Sequence, residues 1–298
     1  MDLLQVIFPV AGIKTYVFVP PVVAFVISFF TSMAGISGAF LLLPFQMSVL
    51  GFTTPSVTST NFLFNVTGTP GGIYRYIKEC RFVWPVALTI VVGILPGVMI
   101  GYYIRIQFLP DPKSFKLFVG IVLLFVAFKL VKDAWVNRTG GQENSCRFED
   151  RVKNVSLSLK ITRFDFSSVS HAFSTMGLLG LAFVVGIVGG VYGIGGGSII
   201  APFLITFFKL PVYAIAGAIL LGTFTSSAAG AAFYSLIPLN GEVAPPDWML
   251  GILFGVGGLL GMYFGAKMQR HISEKWIKLI LGIIVFIIAS RYILKFFI

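Results

Sequence analysis

Charge is scarce in this chain. Only 11% of its 298 residues are Asp, Glu, Lys or Arg, whereas a soluble domain carries about 25%, so there is little with which to cover a water-facing surface. Carboxylates are scarcer still, 11 against 22 Lys and Arg. None falls inside a long apolar run: Glu79, Asp111, Asp133, Glu242, Asp247 and Glu274 all lie at run ends or in loops. Sodium or proton coupling in a membrane usually leaves buried ionisable groups, which are costly there and kept for function; no proton relay is visible. The two histidines, His171 and His271, sit near run ends. No His/Cys/Asp/Glu constellation has ligand spacing, which argues against a metal, a cofactor and a membrane-embedded enzyme. Two cysteines, Cys80 and Cys146, make no disulfide framework and read as free thiols. A cleavable signal peptide is not evident, since Asp2 stands among the first residues instead of a basic segment.

What the chain does have is apolar surface and glycine. Hydrophobic residues make up 57%, and there are 33 glycines, which suit helices packing closely in lipid. The net charge of +11 reads as the Lys/Arg excess of cytoplasmic loops in a membrane protein, not as a nucleic-acid surface. Apolar runs fall at about 17–33, 39–50, 56–76, 82–104 and 114–135, then at 172–192, 198–208, 212–237, 248–268 and 276–296. Between the two sets lies a hydrophilic stretch. The expected organisation is a first five-element membrane repeat over 1–135, a linker over 136–170 and a second repeat over 171–298.

The two sets share a motif. Gly35 opens GISGAFLLLPF and Gly193 opens GIGGGSIIAPF, 158 residues later (193 − 35), with Pro44 and Pro202 in register. Further matches are Gly97/Gly101 with Gly257/Gly261, Tyr74 with Tyr234, and Gly120 with Gly282. Five is odd, so the second set must start from the opposite face of the bilayer. The expected fold is an all-α integral membrane protein of two inverted five-element repeats, each with a broken or re-entrant helix.

Each motif interrupts an apolar run, and lipid offers nothing to the backbone groups that such a break frees. The short run that follows can form a half-helix, whose first amides are unpaired and lie at the positive end of the dipole. Glycine lets a ligand approach that backbone closely. Two such ends facing each other near the midplane would make an anion site without a charged side chain; tight helix crossing is the simpler use of the same glycines. The third run of each half is polar, with Asn61 and Asn65 one helical turn apart and Thr225, Ser226 and Ser227 in the second copy. Their amides and hydroxyls can donate to an oxyanion or bond between helices. The candidate substrate-binding residues are Ser37, Gly38, Ala39, Asn61, Asn65, Gly195, Gly196, Gly197, Ser198 and Thr225.

Lys and Arg place the linker in the cytoplasm and both termini outside. Two sequons in the linker, at Asn137 and Asn154, would contradict that orientation if glycosylated. A negative-inside potential of about 100 mV drives a monovalent anion outward with about 2.3 kcal/mol, so export needs no coupling ion.

GIGGGSIIAPF with its polar third run, and the degenerate GISGAFLLLPF with Thr58-Ser59-Thr60, resemble the sulfite exporter TauE/SafE family. The resemblance covers most of the chain outside the linker and the first residues. It implies a plasma-membrane permease exporting sulfur-containing anions such as sulfite, sulfoacetate and related sulfonates. The first copy departs from the glycine-rich pattern at Ser37, Ala39 and Phe40, which makes the half-sites unequal. The expected partners are a small anionic substrate and the lipid bilayer, with a homo-oligomer left open. A channel, an uptake permease and an assembly subunit are the competing readings; only the subunit would have no use for paired helix breaks.

Overall fold

The computed structural model describes residues 5–33, 36–78, 82–136, 153–156, 158–166, 169–208, 210, 212–239, 241, 243–268 and 274–297. Among the described residues there are ten helices: α1 (Val19–Met33), α2 (Ala39–Ser48), α3 (Ser56–Lys78), α4 (Trp84–Gln107), α5 (Pro112–Val136), α6 (Thr175–Tyr192), α7 (Gly197–Thr206), α8 (Val212–Leu236), α9 (Trp248–Met268) and α10 (Glu274–Phe297). Six of them, α4, α5, α6, α8, α9 and α10, are long and apolar enough to cross a membrane. Of the rest, α3 has 23 residues but a polar sequence, and its Thr58, Ser59, Thr60, Asn61, Asn65 and Thr69 are all buried. Its polarity faces protein and not lipid.

The helical bundle matches the expected class. Outside it the structure adds two small antiparallel sheets that apolar periodicity does not announce. A hairpin of β1 (Gln5–Phe8) and β2 (Ile13–Tyr16) precedes α1. A three-stranded sheet of β3 (Lys153–Ser156), β4 (Ile161–Phe166) and β5 (Val169–Ser174) leads into α6. The expected boundary between linker and second repeat, at residue 170, thus falls inside β5.

Packing between the two halves is reciprocal. On α4, a side chain at Gly97 or Gly101 would collide with the carbonyl oxygens of Phe183 and Ile187 on α6; on α9, one at Gly261 or Gly265 would collide with those of Phe25 and Phe29 on α1. Glycine at four-residue steps lets each pair of backbones meet directly, the usual device for helix contact in lipid. At the centre, α3 and α8 cross with Gly72 against Leu220 and Gly230 against Phe62. Both members of the second contact lie 158 residues from their counterparts in the first. The contacts also fix direction: α1, α3 and α9 run one way, α4, α6 and α8 the other. One end of the bundle therefore holds the starts of α1, α3 and α9, where buried Asp247 accepts from the Val10 and Ala11 amides of the hairpin and, across the helix start, from Leu250 N–H.

Candidate functional site

The half-helices α2 and α7 have 10 residues each, about 15 Å of helix and half the hydrocarbon thickness. They are built alike. Gly38 O accepts from Leu41 N and Leu42 N at 3.1 and 3.0 Å, and Gly196 O from Ile199 N and Ile200 N at 3.3 and 3.2 Å. At the far ends Phe52 N donates to Gln46 O and Leu210 N to Leu204 O, at 2.9 and 3.1 Å. Every one of these bonds repeats at the 158-residue offset of the motif. In the second break Gly193 and Gly195 have φ of 84° and 69°, a region that other residues rarely adopt. Ala34 and Gly35 of the first break lie outside the described residues.

Proline shapes the first half-helix. Pro44 has no N–H, so the Phe40 carbonyl one turn earlier loses its intrahelical donor. Tyr192, at the end of α6, fills that vacancy with its hydroxyl at 2.8 Å. A residue of the second half thus completes a helix of the first.

Asn61 and Asn65 bring the two breaks together. Both are fully buried on α3. Asn61 Nδ2 donates to Ala39 O in the first break and to Gly193 O in the second, both at 3.0 Å. Asn65 Nδ2 donates to Ile194 O at 2.8 Å, and its Oδ1 accepts from Ser37 Oγ at 2.5 Å. Ser37 Oγ in turn accepts from Ala39 N at 3.3 Å, and Gln46 Nε2 donates to Asn61 Oδ1 at 3.3 Å. One turn of α3 is therefore a clamp across both helix breaks. The asparagines spend donors on carbonyls freed by the breaks, which leaves other groups to meet a ligand.

Two of those groups are serine hydroxyls, one of which, on α1, the sequence does not single out. Ser28 on α1 and Ser227 on α8 are fully buried, and neither Oγ has a hydrogen-bond partner. Ser28 Oγ lies 2.9 Å from where a Cβ on Gly38 would stand, and Ser227 Oγ lies 2.7 Å from the same point on Gly195. Each half-helix start thus has one uncommitted hydroxyl beside it. An unsatisfied buried donor is rare and calls for an explanation. Thr223 packs against Gly195 and Gly197.

Of the predicted residues, Ser37, Gly38, Ala39, Asn61, Asn65, Gly195, Gly196 and Gly197 are buried and belong to this locus. The Ser198 side chain lies outside the described residues, though its backbone is in the first turn of α7. Thr225 is only half-buried, and its hydroxyl is committed to the carbonyls of Leu221 and Gly222 on its own helix; Thr223 and Ser227 face the break instead. Among the described residues no three His, Cys, Asp or Glu side chains group as metal ligands.

This architecture has relatives. The chain is 25% identical over 271 residues, 88% of its length, to a probable membrane transporter protein, YunE, of Bacillus subtilis (strain 168), covering 92% of that protein. No solved structure matches it. The family model for the sulfite exporter TauE/SafE matches residues 21–292, a span that takes in both helix breaks, the α3 clamp and all ten helices but the ends of the first and last, and the chain belongs to that family of membrane transporters.

Proposed function

We propose that this protein exports small sulfur-containing anions, sulfite, sulfoacetate or related sulfonates, across the plasma membrane. The observation that carries this reading is the joining of two half-helix N-termini at one buried place, each beside a hydroxyl with nothing to bond. Helix starts attract anions through free amides and the dipole, and the hydroxyls supply directional donors without a fixed charge. The reciprocal packing of the halves supports an inverted repeat, and an inverted repeat supports alternating access about the clamp. The linker is placed in the cytoplasm and both termini outside by the Lys/Arg distribution. The sulfur chemistry of the substrate comes from the family's description, sulfite exporter.

The test is flux of sulfite and sulfoacetate into proteoliposomes under an imposed potential, with Ser28→Ala and Ser227→Ala beside the wild type. Saturable flux is expected. Each alanine removes a hydroxyl with no hydrogen-bond partner among the described residues, so folding should stay intact. Loss of one hydrogen bond to the substrate, about 1 kcal/mol, raises half-saturation roughly fivefold. A folded wild type that moves no small oxyanion sinks the proposal.

A further inference from the structure

Arg105, in the last turn of α4, is fully buried. Its guanidinium lies 3.7 Å above the Phe115 ring of α5. Nε donates to Thr58 Oγ1 on α3 at 3.4 Å and Nη1 to Leu109 O, while Nη2 has no partner. No carboxylate among the described residues neutralises it: Asp111 is committed to Ser114, and Asp247 to Val10, Ala11 and Leu250. A buried guanidinium without a counter-charge is costly unless something compensates it, and an ionisable group held inside a membrane protein is a functional candidate for that reason.

Position supplies the second argument. Thr58, which receives Arg105 Nε, packs its carbonyl and methyl against Gly193, the first residue of the second break. Tyr234, in edge contact with Tyr102 of α4, donates to Gly190 O at 3.1 Å in the turn of α6 just before it. Arg105 therefore lies between the second break and the end of the bundle where α4 finishes, at the seam between α3 and α4. Arginine matches oxyanions through paired N–H donors, and the Phe115 face holds the guanidinium flat.

We propose that Arg105 is an outer oxyanion-binding site, which holds the substrate on its path between the clamp and the face of the membrane where α4 ends. The proposal rests on the anion-transport reading above. In the resting protein Nη1 caps the α4–α5 turn through Leu109, and the free Nη2 with the weakly held Nε presents two donors to an arriving anion.

Two measurements test it. In oriented proteoliposomes, sulfite half-saturation is read from each face for wild type, Arg105→Gln and Arg105→Lys. Glutamine should raise it tenfold or more at the face where α4 ends and less than twofold at the other, with lysine in between. An equal rise at both faces, or a fall in maximal rate alone with lowered melting temperature, overturns the proposal in favour of a central or purely structural role. The second needs no transport: with Phe115→Trp as reporter in detergent, sulfite should change the tryptophan emission, chloride at matched ionic strength should not, and Arg105→Gln should abolish the response. A response without flux in the wild type keeps the site and removes the transport reading; flux without a response removes the site and keeps the transport.

Discussion

Asn61 holds both breaks through two N–H donors on one side-chain nitrogen, each aimed at a carbonyl from a different half. Alanine there leaves Gly193 O in the break buried without its donor, at a cost of about 1–3 kcal/mol. Asn61→Asp is nearly isosteric, yet it turns an oxygen toward two oxygens, so it should melt below Asn61→Ala. Thermal unfolding of the purified protein in detergent decides the order, and the reverse order would deny the clamp. The asparagines were legible in the sequence because amides one turn apart in an apolar run are conspicuous. Ser28 was not, and Ser227 stood out only as one of three neighbouring hydroxyls. Serine and threonine are common in membrane helices, and most here back-bond to their own helix, as Thr60, Thr69, Thr89, Thr223 and Thr225 do. Only the packing of a neighbour decides which hydroxyl is left free. Arg105 was hidden by its place at a run end, where a solvated loop residue and a buried one look the same.

Among whole helices, the glycine ladders are the contacts most exposed to substitution. Gly97→Ala would drive a methyl into Phe183 O, whereas Gly180 on α6 has nothing within 4 Å of its added Cβ. Gly97→Ala should destabilise by about 1–3 kcal/mol, and Gly180→Ala should be neutral or stabilising by up to about 1 kcal/mol. A temperature series of the two variants in detergent checks both signs. The ladders also explain a register error in reading the sequence. Gly97/Gly101 align there with Gly257/Gly261, but by packing they correspond to Gly261/Gly265; a motif repeated every four residues is unchanged by a slip of one turn. Tyr234 likewise corresponds to buried Tyr76 and not to exposed Tyr74. The helices were legible because a long apolar run in lipid has no other way to satisfy its backbone. The strands were not, being four to six residues long with no such constraint. The β4–β5 pair makes a prediction of its own. Burial against Phe164 lowers the His171 pKa despite the opposing Asp165, and hydrogen bonds from Ser170 and Asn154 lower that of Asp165. Both folded values lie below the unfolded ones, so both contributions are present at neutral pH and are lost on acidification. Relative to the intrinsic rate at each pH, the amide protection of β4 and β5 should fall first below about pH 6.5 and again below about pH 4. Protection that stays flat from pH 7 to 3 would refute this.

For the whole molecule, the ladders decide which parts can move as units. If the first five helices rocked as a block against the second five, α4 would have to slide on α6 and α1 on α9, breaking direct backbone contacts along both pairs. Close-packed surfaces of this kind resist sliding. The ladders instead tie α1 to α9 and α4 to α6 across the halves; taken with helix direction, α1, α3 and α9 form one candidate body and α4, α6 and α8 another, with the breaks and the antiparallel α3–α8 crossing on the seam. Under the proposed alternating access that seam would open first at one end and then at the other, and two cross-links distinguish this from rocking halves. With Cys80 and Cys146 replaced by serine, Gly93→Cys paired with Ala182→Cys joins α4 to α6, where the two Cβ positions approach within 2.7 Å. Gly72→Cys paired with Leu220→Cys joins α3 to α8 across the seam, where the Leu220 side chain already touches the Gly72 backbone. A disulfide holds its Cβ atoms about 3.8 Å apart, so the first pair must part by roughly 1 Å to close one. Oxidation of the first pair should leave anion flux within about twofold of the reduced protein, because it ties together parts of one body. Oxidation of the second should stop flux, and reduction should restore it. If both locks stop transport, the five-helix halves are the moving bodies and the ladders are sliding surfaces after all.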